Sequence, residues 1–225
     1  MNRISLPQVV ARLQAHYGLP KPPPTDDPWH FILWENVAYL ADDTRREKAM
    51  TLVKKRAGTR PEQILSASDD VLLEVARFGI MPELRIERLR ECARIALEDF
   101  DGDLRAILEW PVPKARRALQ KFPGIGAPGA EKILMCCHRH PALALESNGL
   151  RVLLRLGFGE ETKSYSKTYR LVQEATQSEL EEDYPRLIGA HQLLRRHGQE
   201  VCTNSRPCCA DCPLLPDCPS GERLA

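Results

Sequence analysis

The apolar positions of the chain recur at spacings of three and four residues over most of its length. This spacing is typical of amphipathic helices, and prolines and Ser, Thr or Asp residues separate the apolar runs as helix starts require. No stretch of useful length alternates apolar and polar residues, so no strand is predicted. The helical runs are PQVVARLQAHYG, WHFILWENVAYLA, RREKAMTLVKKRA, DDVLLEVARFG, PELRIERLRECARIALEDF and YPRLIGAHQLLRRHG. The pattern predicts an all-α protein, with residues 19–28 as a stiff proline-rich connector.

Composition and charge narrow the class of protein. The 225 residues are 43% hydrophobic and 28% charged, and 32 Lys and Arg nearly balance 31 Asp and Glu. Such a chain can form a core, but it has no overall basic charge, so any nucleic-acid site must be local. Charges interrupt the N-terminal apolar runs and no stretch is long enough to cross a bilayer, so we expect a cytoplasmic protein with no signal peptide and no membrane partner. In that compartment clustered cysteines more often bind metal than form disulfides.

The segment CTNSRPCCADCPLLPDC, residues 202–218, is rich in cysteine. Four of its cysteines are separated by six, two and five residues: Cys202, Cys209, Cys212 and Cys218. Cys208 is then a spare. Four thiolates can ligate a lone soft metal or an iron–sulfur cluster, but a zinc site usually has two close cysteine pairs and here only one pair is close. The spacing therefore favours a 4Fe–4S cluster, with a metal-free tail or a disulfide loop as the alternatives.

A glycine-rich turn, FPGIGAPGA at residues 122–130, separates two helical runs. Gly124-Ile125-Gly126 permits a tight turn with positive φ and leaves backbone amides bare where the next helix begins. Such a helix start can bind a phosphate without reading base sequence, although an ordinary helix–helix turn is the alternative. Local positive charge is supplied by four nearby residues: Lys114, Arg116, Arg117 and Lys121.

Together these motifs resemble those of the helix-hairpin-helix DNA glycosylases, in the branch of endonuclease III and MutY. The cysteine spacing is similar to that of the family's cluster loop, and so are His197-Gly198 before it and Arg206-Pro207 inside it. The turn FPGIG resembles the family's L-P-G-V-G hairpin. The resemblance covers the chain from about residue 28 onward.

The resemblance implies an all-α fold of two helical domains with a DNA-binding cleft between them. A six-helix barrel would occupy residues 28–138, with the helix-hairpin-helix at about 114–138. Residues 1–27 plus 139–225 would form a second domain, closed by the 4Fe–4S cluster. In the family the cluster loop is structural and presents basic residues to DNA, so Arg206 is the candidate phosphate contact, with a solvated surface arginine as the alternative.

The segment LALESNGLRVLLRLGFG resembles the one that carries the family's catalytic acid. Where the family has Asp, this chain has Glu146, and Asn148 matches the Asn of several relatives. A carboxylate there stabilises an oxocarbenium-like sugar or positions water, whereas the alternative is an acid at a helix N-terminus with Ser147 as the cap. Glu35, in FILWENVAYL, aligns with the glutamate that protonates adenine in MutY-type enzymes. A half-buried carboxyl suits that role, and a solvated carboxylate is the alternative.

Two further positions shape the expected chemistry. Tyr39 or Leu40 is the candidate to fill the space that a flipped base leaves in the duplex. Bifunctional members carry a lysine two residues after the second hairpin glycine, and this chain has Pro128 there. Lys132, one turn further on, is a poor substitute. Strand cleavage through a Schiff base is therefore not expected by the usual route.

The sequence thus predicts a monofunctional DNA glycosylase of base-excision repair. We expect a nucleoid-associated monomer of bacterial or archaeal type that carries a 4Fe–4S cluster. Its partner would be double-stranded DNA with a damaged or mismatched base. The alternatives are a lesion-binding relative without turnover, which Pro128 and Glu146 favour, and a bifunctional glycosylase and AP lyase that uses another lysine. An iron–sulfur electron-transfer module is a more distant alternative, against which the glycine hairpin counts.

Overall fold

The computed structural model describes residues 3–39, 41–180 and 182–221. These residues form eleven α-helices and three short 3-10 segments, with no strand among them, so the predicted all-α class is confirmed. The chain divides into two compact units, and both are helical. Pro24–Arg139 is termed the central unit, and Met1–Pro23 with His140–Ala225 is termed the terminal unit.

The described part of the central unit contains seven α-helices and one 3-10 segment, Arg105–Glu109. The helices are α2 (Pro28–Val37), α3 (Asp43–Arg56), α4 (Pro61–Ser66), α5 (Asp69–Ala76), α6 (Pro82–Phe100), α7 (Val112–Leu119) and α8 (Ala127–Cys136). The long helix α6 packs against α2, α4 and α5, while α8 packs against α7 and α2.

Helix α2 lies in the core of the central unit. Ile32, Leu33 and Val37 have no exposed surface, and Phe31 and Trp29 are nearly as deeply buried. Burying a large apolar side chain stabilises a fold by about 1.5–3 kcal/mol, so this helix anchors the unit. Its start follows from local chemistry, because the Asp27 carboxylate accepts a hydrogen bond from the His30 amide and proline occupies the first turn.

The terminal unit is built from both ends of the described chain. Its α-helices are α1 (Leu6–Tyr17), α9 (Ser147–Arg155), α10 (Tyr165–Gln177) and α11 (Tyr184–Glu200). Helix α11 packs against α9 and α1, and α9 also packs against α10. Leu6, Val9 and Leu13 form the buried face of α1. The cysteine-rich segment follows α11 and contains the 3-10 segments Cys209–Asp211 and Leu215–Asp217.

No helix in the described residues combines the length and the apolar composition needed to span a bilayer.

Candidate functional site

Glu146 occupies the N-cap position of α9 in the terminal unit. Its Oε1 accepts a hydrogen bond from the Gly149 amide at 2.6 Å, and its Oε2 accepts one from the Asn148 side-chain amide at 2.7 Å. The structure places Glu146 at a helix N-terminus, as the alternative to a catalytic role expected, but the cap is Glu146 itself and not Ser147, which is the first helical residue. A helix N-terminus favours a negative charge, so this position holds a carboxylate in a fixed orientation.

Asn148 connects this carboxylate to Arg151. The Asn148 Oδ1 atom accepts a hydrogen bond from Nη2 of Arg151 at 2.8 Å. Arg151 also donates to the carbonyl of Gly198 at 2.7 Å and, through Nε, to that of Cys202 at 3.0 Å. A chain of hydrogen bonds thus runs from Glu146 to the backbone of the first cysteine of the cysteine-rich segment.

Gly198 makes this arrangement possible by its small size. A Cβ atom there would lie 2.6 Å from the Asn148 carbonyl oxygen and 2.7 Å from the Asn148 Cβ atom. Helices α9 and α11 therefore approach each other closely at the point where Arg151 bonds to both.

Arg155 holds the beginning of the cysteine-rich segment. Its guanidinium donates to the carbonyls of Cys202, Thr203 and Asn204, and it lies 3.2 Å from the Cys202 sulfur. The sequence analysis did not identify this residue. Its spacing of four residues from Arg151, which places both on one face of α9, is the signal that could have found it.

The five cysteines of residues 202–218 all have free thiols and line one small cavity. The four predicted ligands are half-buried, whereas Cys208 is exposed. Burial raises the pKa of the Cys212 and Cys218 thiols, and the nearby Cys202 and Cys209 raise it further. The four predicted ligands thus share one cavity, and a cationic centre bound there would neutralise their thiolate charges.

The donor set fits an iron–sulfur cluster by its chemistry, because all-cysteine ligation is usual for that group. In the described part of the chain, no group of three or more Cys, His, Asp or Glu side chains is already arranged around a single metal ion.

His197 contacts the same segment from α11. Its Nε2 lies 3.4 Å from the Cys212 sulfur and its Nδ1 lies 3.0 Å from the Tyr17 hydroxyl. Burial lowers the pKa of His197 to about 4, so the ring is neutral at pH 7. A neutral imidazole has one donor and one acceptor nitrogen, which these two partners can share.

Tyr165 is a second residue that the sequence analysis missed in the terminal unit. It is 49% exposed at the start of α10. Burial of the Tyr165 hydroxyl, followed by the charge of Glu146, raises the pKa of Tyr165.

In the central unit, the glycine turn has a positive φ at its first glycine. Gly124 has a φ of +81°, but Gly126 has an ordinary φ of −82° and is the N-cap of α8. The tight turn that the glycines were expected to permit is present, with its positive φ at Gly124 and not at Gly126. The Ile125 side chain is buried and its amide bonds to the carbonyl of Phe122, so Ile125 stabilises the turn from within.

Asn36 ties α2 to this turn. It has no exposed surface, and its side-chain amide donates to the carbonyls of Ile32 and Pro123 at 3.0 Å each. A Cβ atom at Gly124 would lie 3.0 Å from the Asn36 Oδ1 atom, which explains why the turn needs glycine there. A polar residue inside the apolar run FILWENVAYL was the signal for this contact.

The start of α8 and its surroundings are less basic than expected. Pro128 lies in the first turn of α8, so this helix start lacks one amide donor. Arg116 pairs with Glu131 at 3.2 Å and Lys121 pairs with Asp99 at 2.7 Å. These carboxylates reduce the local positive charge on which the expected phosphate site depended.

An open groove beside the turn is lined by charged residues of both signs. It is lined by Pro123 and Gly124 of the turn and by charged residues of α6, which are Glu87, Arg88, Arg90, Glu91 and Arg94. Arg90 pairs with Asp69 and Arg94 with Glu91. The sequence analysis did not connect α6 with the turn, because the two are far apart in the chain.

Glu35 lies in an ion-pair cluster. Its Oε1 atom is 2.6 Å from the Lys132 amine and 3.3 Å from the Arg46 guanidinium, and all three side chains are largely buried. The suggested role of Glu35 as a proton donor rested on a half-buried carboxyl. The structure places the Lys132 amine and the Arg46 guanidinium beside that carboxyl, which the sequence analysis did not foresee.

Tyr39 lies in the turn after α2, and Leu40, the other candidate wedge, lies outside the described residues. The Tyr39 carbonyl accepts a hydrogen bond from the Ile80 amide at 3.1 Å. Ile80 and Met81 are 47% and 54% exposed, which is unusual for such side chains. The sequence analysis missed this apolar pair, which lies next to Tyr39 only because the fold brings the two turns together.

Arg206 is exposed, and its carbonyl accepts a hydrogen bond from the Thr203 hydroxyl at 2.7 Å. This bond closes the short loop between the first two predicted ligands and leaves the guanidinium at the surface of the terminal unit.

Comparison with known proteins supports the resemblance. No family model matches the chain. Endonuclease III of Thermotoga maritima is 26% identical over 192 residues, which is 85% of this chain and 83% of that protein. The fold is similar to that of endonuclease III trapped as a covalent intermediate with DNA, with a TM-score of 0.74, 17% identity and 98% of each chain covered. A thermostable thymine-DNA glycosylase has a TM-score of 0.72 at 18% identity over 97% of each chain.

The motifs and the helical fold of the chain, together with these similarities, support the helix-hairpin-helix DNA glycosylase superfamily and, within it, the endonuclease III branch.

Proposed function

We propose that this protein is a DNA N-glycosylase of base-excision repair that hydrolyses the glycosidic bond of a damaged or mismatched base and has no AP lyase activity. The observation that carries the proposal is the fixed carboxylate of Glu146 at the start of α9. A carboxylate held at one place, before any substrate binds, is the group that a glycosidase needs for an oxocarbenium-like transition state.

Glu146 would act through its charge. As the base leaves, positive charge develops on the sugar, and the nearby anion stabilises it. Asn148 and the Gly149 amide keep the carboxylate from rotating, so little reorganisation is needed during the reaction. Glutamate is one methylene longer than the family's aspartate. The hydrogen bonds of Glu146 to α9 fix the position of its carboxylate despite this extra length.

DNA would be held mainly through its phosphates. The start of α8 after Gly126 presents backbone amides, and Arg88 lies in the groove beside Gly124. The glycosidic bond is out of reach inside a stacked duplex, so the target nucleotide must be flipped out. Tyr39 and the exposed pair Ile80 and Met81 are the apolar side chains that would fill the space it leaves.

A 4Fe–4S cluster would be held by Cys202, Cys209, Cys212 and Cys218. Such a cluster would neutralise the four thiolates and fix a segment with little regular structure of its own. Arg155 and Arg151 bind the backbone at its first ligand, so the order of this segment supports the orientation of Asn148. The cluster would therefore have a structural role.

The absence of lyase activity is inferred from two residues. Pro128, at the position of the family's lysine, has no amine. The nearest substitute considered, Lys132, has its amine 2.6 Å from Glu35 and would have to leave that ion pair before it could attack a sugar carbon.

The decisive experiment is an incubation with a panel of duplexes, each with one modified or mismatched base. We expect abasic sites on at least one duplex, strand breaks only after hot alkali, and no complex trapped by borohydride. Glu146→Gln should slow base release by at least about a hundredfold with nearly unchanged binding, because the lost charge acts mainly in the transition state. Glu160→Gln, the same change at an exposed position, should have no effect.

The outcomes separate the alternatives. A trapped complex that disappears in Lys132→Ala would assign lyase activity to Lys132. A higher rate in Glu146→Asp would mean that Glu146 acts as a displaced form of the family's acid.

A lesion-binding protein without turnover is the second candidate. It is favoured by the hydrogen bonds of Glu146, because each of its oxygens already accepts a hydrogen bond from the first turn of α9. Tight binding to damaged duplexes with no abasic product from any of them would support this candidate over the enzyme.

A further inference from the structure

Arg85, in the second turn of α6, is a buried cation. Only 1% of its surface is exposed. Its guanidinium carbon lies 3.8 Å from the centre of the Tyr39 ring, which covers it. Arginine is rarely buried without a carboxylate or a set of carbonyls around it.

The guanidinium of Arg85 is incompletely paired. Among the residues that the structure describes, neither Nε nor Nη1 of Arg85 has a hydrogen-bond partner. Burial, followed by the charge of Arg88, lowers the pKa of Arg85, so its surroundings disfavour the cation that it carries. A buried N–H donor without a partner is costly, and it points to a partner that binds later.

The cover over Arg85 belongs to the turn that carries the candidate wedge. Gly79 lies so close that a Cβ atom there would be 2.5 Å from the Tyr39 amide nitrogen. Beside it, Met81 has a left-handed φ of 54°, which is uncommon for a residue other than glycine. Tyr39 is thus held by backbone contacts with residues 79 and 80, while its ring is placed over Arg85.

We propose that Arg85 is a latent phosphate ligand, covered by Tyr39 in the free protein and uncovered when the Tyr39 ring enters the DNA duplex. The inference rests on the proposed DNA-binding function. The N–H groups that have no protein partner would then bind a backbone phosphate of the DNA, so that the same movement that fills the gap in the duplex adds an ionic contact.

The neighbours of Arg85 favour a phosphate. Arg88 lies one turn further along α6 on the same face and lines the groove that includes Gly124. Arg85 thus lies buried between Tyr39 and Arg88, and Arg88 reaches the groove at the hairpin turn. An uncovered guanidinium beside a second arginine binds a phosphate well, because it is a cation with several N–H donors.

The test compares Arg85→Met with the wild type on an undamaged duplex and on the same duplex with a stable abasic analogue. Each phosphate contact contributes about 0.9 to the slope of log affinity against log salt. We expect Arg85→Met to reduce that slope by about 0.9 on the abasic duplex, with several-fold weaker binding, and to leave the undamaged duplex unchanged. Arg56→Met, which removes an exposed arginine paired with Glu74, is the control for the change in net charge.

Two more measurements distinguish a ligand from a structural residue. Free Arg85→Met should melt at a higher temperature than the wild type, because an incompletely paired buried charge is removed; a lower melting temperature would favour a structural role. Tyr39→Ala should bind the undamaged duplex several-fold more tightly, since Arg85 is then uncovered, and the double variant should lose that gain.

Equal salt slopes for Arg85→Met and the wild type on the abasic duplex would overturn the inference while leaving the proposed function intact. A wild-type protein that binds no duplex would overturn both.

Discussion

The two units differ in how completely their buried polar groups are paired. Six buried side-chain nitrogen or oxygen atoms of the described residues lack a hydrogen-bond partner, and all six belong to the central unit. They are Asn36 Oδ1, Arg46 Nε, Arg85 Nε, Arg85 Nη1, Arg116 Nε and Arg139 Nε. Five of the six are donors on arginine. The central unit therefore has hydrogen-bonding capacity left for an anionic partner, while the described part of the terminal unit satisfies its own.

A pair of arginines shows what this difference means. Burial lowers the pKa of both Arg151 and Arg85. Arg151 donates to three protein oxygens that join α9, α11 and the cysteine-rich segment, whereas Arg85 is covered by a ring and lacks partners at two nitrogens. The same side chain is thus a structural link in one unit and a buried, incompletely paired cation in the other.

The largest expected effect is the loss of iron from the cysteine-rich segment of the terminal unit. Cys209→Ala should lose all bound iron, because it removes one of four ligands, whereas Cys208→Ala, a change at the next residue, should keep it. The two variants are compared by iron and sulfide content after purification without air. Iron retained in Cys209→Ala but lost in Cys208→Ala would show that the ligand has been assigned to the wrong cysteine.

A smaller but still large effect is expected for Arg151→Met. It leaves the carbonyls of Gly198 and Cys202 and the Asn148 side chain without their donor, which should cost about 3–5 kcal/mol of unfolding free energy. Denaturant unfolding measures this loss, and its sign should be opposite to that of Arg85→Met.

Arg186→Met is the control for Arg151→Met, since the Arg186 side chain is 62% exposed and its ion pair with Asp183 lies at the surface. If Arg151→Met lowers the unfolding free energy by less than about 1 kcal/mol, the hydrogen bonds of Arg151 do not stabilise the terminal unit as proposed.

The smallest effect concerns the close approach of α9 and α11. Gly198→Ala places a methyl group 2.6 Å from the Asn148 carbonyl oxygen and should destabilise the protein by about 1–3 kcal/mol. Gly189→Ala, in the same helix, places its methyl group 3.7 Å from Pro20 and should be neutral or stabilising by up to about 1 kcal/mol. Similar melting temperatures for the two variants would contradict the close approach.

Those features of the structure that depend on local chemistry could be predicted from the sequence. The spacing of apolar residues gives the helical class, and the glycine turn and the cysteine spacing point to the superfamily. The residue that caps a helix and the glycine that takes a positive φ could not be predicted. Both Glu146 and Ser147 can cap a helix, and only the backbone angles decide between them. In the same way, the G-x-G pattern does not say that Gly124 alone takes a positive φ.

Contacts between distant residues were the least predictable part of the candidate site. The Lys132 partner of Glu35 is 97 residues away in the chain, and it changes the expected chemistry of that carboxylate. Arg85 and Arg151 both lie in ordinary amphipathic helices, and no local signal separates a paired guanidinium from an unpaired one. Such differences arise from packing between elements, which a pattern of residue types does not encode.

The construction of the terminal unit from both chain ends has a consequence for biosynthesis. Helix α1 is translated before the whole central unit, and its partner α11 is translated after it. At about 5–20 residues per second, the apolar face formed by Leu6, Val9 and Leu13 waits on the order of ten to thirty seconds for α11. The cysteines of residues 202–218 emerge later still, so a cluster would be inserted only after the ribosome has produced α1, α9 and α11.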